Sequence, residues 1–343
     1  MSGVTGTSKN SRRRVPSGMW RRLLGFGDRR MVACRWWDTR LSNCRMGTMH
    51  SSRESLVEAI AGIQAKADGL TLPIKSLILK TEGPQTLLDS VFEEGLINPE
   101  RDAALESAER QLVVWENAGY DVVPIFDDRY PRQLRQVHEA PGIIFSVGSM
   151  VPDDQAVSVV GSRQAGPAVM QAARDVASHL AHESITVVSG LARGVDAAAH
   201  EAALRAGGRT VAIMGTGLDQ TYPAEHADLR QEIENQGQVI TQFFPGAAIK
   251  KHNFPMRNAT MSGYGAATIV ISASEKSGTR HQARAAIGHG HALILTPSVA
   301  ENTSWGREYA NRGDAYVVYS PEEAVQYVLD AIHKNQAAKE LFI

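Results

Sequence analysis

The sequence predicts an α/β fold, a largely parallel sheet with helices on both faces, preceded by a small, mostly helical N-terminal region. Three observations predict it. From residue 156 onward, short apolar runs rich in β-branched residues alternate with stretches at helical spacing. Runs that are apolar throughout suit strands buried on both faces, and the alternation implies right-handed βαβ units. Most of these runs end in a turn containing Gly with Ser or Thr, and ligands of open α/β sheets bind at such strand ends. The third is composition: 343 residues, 43% hydrophobic and 21% charged, make a globular chain long enough for one large domain or two smaller ones.

In chain order, residues 53–70 place Leu56, Ile60 and Ile63 near helical spacing, and Pro73 and Gly83-Pro84 interrupt the next stretch. Residues 86–94 and 101–118 read as helices, the second with Ala104, Ala108, Leu112 and Val113 on one face. A strand at 121–125, a polar turn at 127–131, a short helix at 131–137 and a strand at 142–147 lead to a linker, Val151-Pro152-Asp153-Asp154. Strands then fall at 156–160, 185–188, 210–214, 239–242, 268–272 and 292–296, with a weaker one at 316–319. The helices between them are 168–182, 195–206, 224–235, 254–263 and 279–288. In the first of these, Val169, Ala173, Val176 and Leu180 mark the buried face. Residues 321–338 form a terminal helix. The chain thus divides into a basic extension at 1–48, a helical region and lead-in at 49–150, the core domain at 151–330 and a tail at 331–343.

The net charge of −1 hides an asymmetry. Residues 1–48 carry ten Arg and one Lys against Asp28 and Asp38, a net of +9. Residues 49–343 carry 25 Lys and Arg against 35 Asp and Glu, a net of −10. An acidic body argues against a broad surface that coats nucleic acid and leaves room for a local basic groove. Both cysteines, Cys34 and Cys44, lie in the head, which fits a cytoplasmic protein without disulfides. No apolar run reaches the roughly 18–20 residues of a membrane span. The head is a disordered arm that touches nucleic acid, a targeting segment, or untranslated sequence before a start at Met46 or Met49. The last is favoured because Trp20, Trp36 and Trp37 have no periodic partner.

The residues just after each strand carry the functional signal. They are Gly161-Ser162-Arg163, then Ser189-Gly190-Leu191-Ala192-Arg193-Gly194, then Gly215-Thr216-Gly217-Leu218-Asp219, then Ser277-Gly278-Thr279 at a helix start. Small residues let a backbone approach closely, helix starts attract anions, and arginines supply charge and bidentate geometry. The ligand so predicted carries phosphates. Lys250-Lys251-His252-Asn253-Phe254-Pro255-Met256-Arg257-Asn258 adds basic side chains around a Phe, a pattern suited to single-stranded nucleic acid. The dinucleotide fingerprint and the Walker A sequence are missing. No grouping has metal-ligand spacing, and no Ser-His-acid set can be argued, so neither cofactor nor metal is expected and the site reads as a binding site without catalytic machinery. His200 reads as a packed helix residue, and His281, His289 and His291 as surface residues.

Together these motifs resemble the DNA-processing protein A family (DprA, also called Smf). The resemblance rests on the strand-end turns above, on Val195-Asp196 with Ala198-Ala199-His200, on Gly207-Gly208-Arg209-Thr210-Val211-Ala212 and on Tyr222-Pro223. Asn253-Phe254-Pro255 with Arg257-Asn258, Asp128-Arg129-Tyr130-Pro131, Gly313-Asp314-Ala315 and Ser320-Pro321-Glu322-Glu323 extend it over residues 104–330. It implies a Rossmann-like domain that binds single-stranded DNA without chemistry, dimerises, and loads a RecA-type recombinase in natural transformation. By motif position, Arg163, Lys250 or Lys251, and Arg257 would contact phosphates. Gly161, Ser162, Gly190, Gly194, Ser277 and Gly278 would shape the pocket, with Arg193, Asn253, Phe254, Asn258 and Thr279 beside them. The chain departs from the family at Ala259, where an Arg is usual, at Ser272, where a Glu is usual, and at Arg280-His281, which replace an apolar pair. It ends at Ile343, too soon for the winged-helix domain that many members carry. A nucleotide-processing enzyme like the Lonely Guy phosphoribohydrolases, or a sensor of a nucleotide signal, is the alternative on a related fold.

Overall fold

The computed structural model describes residues 51–92 and 97–340. The expectations for the basic head, both cysteines and the start codon lie outside them. Among the described residues, four helices come first: α1 (Arg53–Gln64), α2 (Leu72–Thr81), α3 (Pro84–Val91) and α4 (Pro99–Asn117). The Ser52 and Asn98 side chains cap α1 and α4 by accepting the N–H groups of Ser55 and Arg101. Helix α2 begins at Leu72-Pro73, where the sequence suggested only a break. Proline is tolerated in a first helical turn because that N–H has no intrahelical acceptor. Buried Lys75 on α2 donates to the carbonyls of Gly62, Ile63 and Ala65, a cation at the C-terminal end of α1.

Among the described residues nine strands make one sheet: β1 (Asp121–Pro124), β2 (Ile143–Gly148), β3 (Ala156–Val160), β4 (Thr186–Ser189), β5 (Thr210–Met214), β6 (Gln238–Thr241), β7 (Ala267–Val270), β8 (Ala292–Leu295) and β9 (Tyr316–Val317). Their spatial order is β1-β2-β6-β5-β4-β3-β7-β8-β9. Strands β3 to β9 run parallel. β1 and β2 add an antiparallel edge beside β6, with Phe145 opposite Thr241, so the lead-in before residue 150 belongs to the same sheet as the core. The remaining helices are α5 (Arg132–Gln136), α6 (Pro167–His182), α7 (Val195–Arg205), α8 (Ala227–Gln236), α9 (Asn253–Tyr264), α10 (Thr279–Gly288), α11 (Pro297–Asn302), α12 (Ser304–Arg312) and α13 (Pro321–Glu340).

Side-chain alternation in β3 separates two cores. Val157 and Val159 pack with Val176 and Leu180 of α6, Ala198 of α7 and Val328 of α13. Ala156 and Val160 face the other way, with Met261 and Tyr264 of α9 and Ala283 of α10. From β3 the chain winds one way through β4, β5 and β6, then returns to β3's other side for β7, β8 and β9. The switch point lies between β3 and its neighbours, and in open α/β sheets that is where a crevice opens.

The expected linker at 151–154 ends in a pinned residue. Asp154 is buried and accepts from Thr186 Oγ1 at 2.6 Å, Tyr264 Oη at 2.9 Å and Arg209 Nε at 3.1 Å. Adjacent acids suggest solvent locally, but these partners arrive from 32 to 110 residues away.

Candidate nucleic-acid interface

The loops after β3 and β4 are pressed together. Val195 N–H donates to Ser162 O at 3.2 Å. Gly194 sits at φ +78°, and a Cβ there would lie 2.3 Å from Ser162 O, so only glycine fits. Ser162 N–H in turn donates to Ser272 Oγ at 3.1 Å, just beyond β7.

The turn after β4 differs from the phosphate cradle its glycines suggest. Asp196 Oδ2 accepts the N–H groups of Gly190, at 3.1 Å, and Ala192, at 3.4 Å. The turn already holds an anion, and it is the protein's own. Burial pushes the Asp196 carboxyl above its usual range, against the pull of Arg257 and these two N–H groups.

Arg257 is held by the protein itself. The resemblance places it on DNA phosphates, yet it is buried on α9. Its Nη1 donates to Gly190 O at 2.6 Å and Ile213 O at 2.8 Å, and its Nε donates to Asn258 Oδ1 at 3.1 Å. A Cβ on Gly190 would stand 1.8 Å from that Nη1, which is why glycine occupies the position. Burial lowers the guanidinium pKa, with Asp196 opposing the shift. Arg257 is a strut joining α9 to the ends of β4 and β5. A run of basic residues in sequence does not reveal which of them points inward.

Around these struts lies a cleft of about 520 Å³ at the switch point. Of the predicted residues it gathers Gly161, Ser162, Arg163, Arg193, Phe254, Arg257, Asn258, Ser277, Gly278 and Thr279. Gly190 lines a smaller adjoining recess with Gly215 and Tyr222. Gly194, Asn253, Lys250 and Lys251 do not line the cleft. Asn253 is buried and donates to Gly215 O at 3.3 Å, holding the turn after β5, while Lys250 and Lys251 are exposed before α9.

Arg163 is exposed, forms no ion pair among the described residues, and lies with Cζ 5.4 Å from the centre of the Phe254 ring. Tyr222, half exposed, stands 5.7 Å from the same ring. Arg193 is different, because its guanidinium is bound bidentately by Glu225. Across the cleft, α10 starts without a side-chain cap among the described residues, Gly278 O accepts from Asn258 Nδ2, and Ser277 Oγ is buried with no partner among them. The cleft therefore offers an exposed cation over an aromatic face, opposite an uncapped helix N-terminus and an unused hydroxyl. That set accommodates a phosphate beside a stacked ring.

His200 is packed, as its place on the Ala-rich helix suggests. Its Nδ1 meets Thr210 Oγ1 at 2.7 Å, and burial holds its pKa at about 3, so it is neutral. His281 is exposed, but His289 and His291 are not the surface residues expected. His289 bridges Ser262 Oγ and Glu139, both at 3.0 Å, and His291 contacts Ser262 O at 3.0 Å. Both lie at the end of α10, where the chain turns back under the sheet. No cluster of three or more potential metal ligands occurs among the described residues, and no described helix is long and apolar enough to cross a membrane. Sequence reasoning left Tyr222, Asp196 and Ser272 out of the site. The Tyr222-Pro223 pair was the available signal for the first; the other two act through backbone groups that no motif displays.

The family model described as DNA recombination-mediator protein A matches residues 121–329. The DNA processing protein DprA of Streptococcus pneumoniae is 34% identical over 203 residues, covering 59% of this chain and 72% of that protein. Protein Smf of Escherichia coli K12 is 31% identical over 231 residues, covering 66% of this chain and 62% of that one. The X-ray structure of the Streptococcus pneumoniae protein superposes with a TM-score of 0.63 at 29% identity, over 81% of this chain and 98% of its own. The solved structure of DNA processing protein A from Helicobacter pylori gives 0.55 at 24% identity, over 62% of this chain and 96% of its own. The Rossmann-like fold and the family are thus settled together, and the chain belongs to the DNA recombination-mediator protein A family.

Proposed function

We propose that this chain binds single-stranded DNA in the cleft at the switch point and presents it, without chemistry of its own, to a RecA-type recombinase. The observation that carries this reading is Arg163, exposed over the Phe254 ring, without an ion pair among the described residues, and lining the same cleft as the uncapped start of α10. Phosphates find charge in Arg163 and the helix start, and unstacked bases find a ring in Phe254 and Tyr222. A duplex keeps its bases stacked inside, so a pocket of this kind favours single strands. The Helicobacter pylori relative was solved in a study of its single-stranded DNA binding mode, which agrees with this reading. The protein acts in the cytoplasm as a homodimer, the state in which two clefts hold one strand and gain avidity.

The test is a titration of fluorescent single-stranded and double-stranded oligonucleotides of one sequence at several salt concentrations. Salt-dependent binding of the single strand and weaker binding of the duplex are expected. No binding of the single strand, or a preference for duplex, overturns the proposal. Recombinase loading is checked by the rate at which RecA coats DNA already covered by single-strand binding protein, and dimerisation by sedimentation velocity.

A further inference from the structure

A second groove of about 430 Å³ lies between α10 and α12 and meets the cleft at Ser277, which lines both. Lys276, in the turn before α10, and Arg280 and Arg284, on the helix, line it. Arg280 and Arg284 are four residues apart, so they share one helix face at a rise of about 6 Å. All three are exposed, and none forms an ion pair within reach among the described residues. The groove also holds two acids, and Arg280 lies within electrostatic reach of Glu275. Glu275 accepts the N–H and hydroxyl of Ser304, and Glu308 pairs with Arg312. With Lys276, Arg280, Arg284 and Arg312 against Glu275 and Glu308, the groove carries a net positive charge spread along its length rather than at one point.

A second observation points to a ligand. Trp305, 1% exposed, lines the groove, and its indole Nε1–H has no hydrogen-bond partner among the described residues. Ser277 Oγ, at the junction of the two depressions, also lacks one. Buried donors are normally satisfied, so both sit beside the groove with hydrogen-bonding capacity unspent among the described residues. Tyr309, with its ring 6.1 Å from Trp305, adds an aromatic surface. Arg280 and His281 stand where the family resemblance expects an apolar pair, so the charge here belongs to this chain in particular.

We infer that this groove holds successive phosphates of the same single strand, which continues from Phe254 past Ser277 along α10. The inference rests on the reading of the cleft as a single-stranded DNA site. A row of cations continuous with that cleft suits a strand better than a compact nucleotide.

The full chain and the R280A/R284A variant are titrated with oligothymidylates of about 5 and about 20 nucleotides, lengths near the lower end of the range of single-strand site sizes and beyond its upper end. Unfolding midpoints equal to wild type establish that the variant is folded, and Arg280→Gln alone gives half the effect. With about 0.7 unit of salt slope per phosphate contact, losing two contacts lowers the slope for the long strand by about 1.4 and weakens it about 25-fold at 0.1 M salt. Binding of the short strand stays at the wild-type level. Wild-type affinity of the variant for the long strand overturns the inference, and so does an equal loss on both lengths. If the wild-type chain binds neither length, the reading of the cleft fails and the groove's role fails with it.

Discussion

Replacing Arg257 by alanine removes the guanidinium that ties α9 to the ends of β4 and β5. Two buried carbonyls, Gly190 O and Ile213 O, lose a charged donor, and Asp196 loses the cation that opposes its desolvation. Hydrogen bonds to charged groups contribute about 1.5–3 kcal/mol each, and removing one partner of a buried charge pair costs about 3–5 kcal/mol. These overlap, so the expected loss is about 3–5 kcal/mol of unfolding free energy, a large part of the ~5–15 kcal/mol typical of a domain. Urea unfolding followed by circular dichroism reads it directly. Asp196→Asn in the same background removes the stranded carboxylate, so the double variant loses less than the sum of the singles. DNA affinity falls in R257A because the cleft floor deforms, in step with stability. A variant within about 0.5 kcal/mol of wild type that has nonetheless lost DNA binding refutes this reasoning, because it would make Arg257 a direct ligand.

Gly194→Ala places a side chain at φ +78° against Ser162 O and should cost about 1–3 kcal/mol while weakening DNA binding, measured by thermal melts and anisotropy together. Ser272→Ala removes the acceptor of Ser162 N–H, with an expected loss of about 1 kcal/mol and a looser Arg163 loop, seen as faster amide exchange over residues 161–164. His200 gives a pH dependence. Its pKa is about 6.5 when unfolded and about 3 when folded, so the folded state binds fewer protons between those values. Stability is complete above the unfolded value and declines by up to about 1.4 kcal/mol per pH unit as pH falls toward 3. His200→Gln should flatten that acid limb, and an unchanged limb in urea unfolding across pH 7 to about 4 would show that another group carries it.

The core of the fold was legible because its strands are apolar throughout and its helices carry clear faces. The expected strand at 156–160 is β3 without a shift, and the helix at 279–288 is α10. Helices α11 and α12 escaped because Pro297 and polar residues around Trp305 resemble a loop, although the proline again occupies a first turn. The sequence also showed which strand-end turns converge. It did not show the division of labour among their charges. Arg163, Arg193 and Arg257 look alike in a row of letters. In space one is free over an aromatic ring, one is neutralised by Glu225, and one is buried against carbonyls. That division depends on residues 32 to 91 positions away, beyond the reach of local pattern. Asp196 is the counterpart case, because a helix-start acid is ordinary and only the bent turn before it makes it an internal substitute for phosphate.

The central claim is that bases of single-stranded DNA stack on Phe254 while Arg163 takes an adjacent phosphate. Photo-crosslinking of an iodouracil-substituted oligonucleotide to the full chain, with the attachment sites mapped by mass spectrometry, tests it most directly. Crosslinks are expected at Phe254 or Tyr222, lost in Phe254→Leu and weakened in Arg163→Ala while both variants unfold at the wild-type midpoint. Efficient crosslinks confined to residues far from the cleft, such as the groove beside His289 and His291 under the opposite end of the sheet, would contradict it.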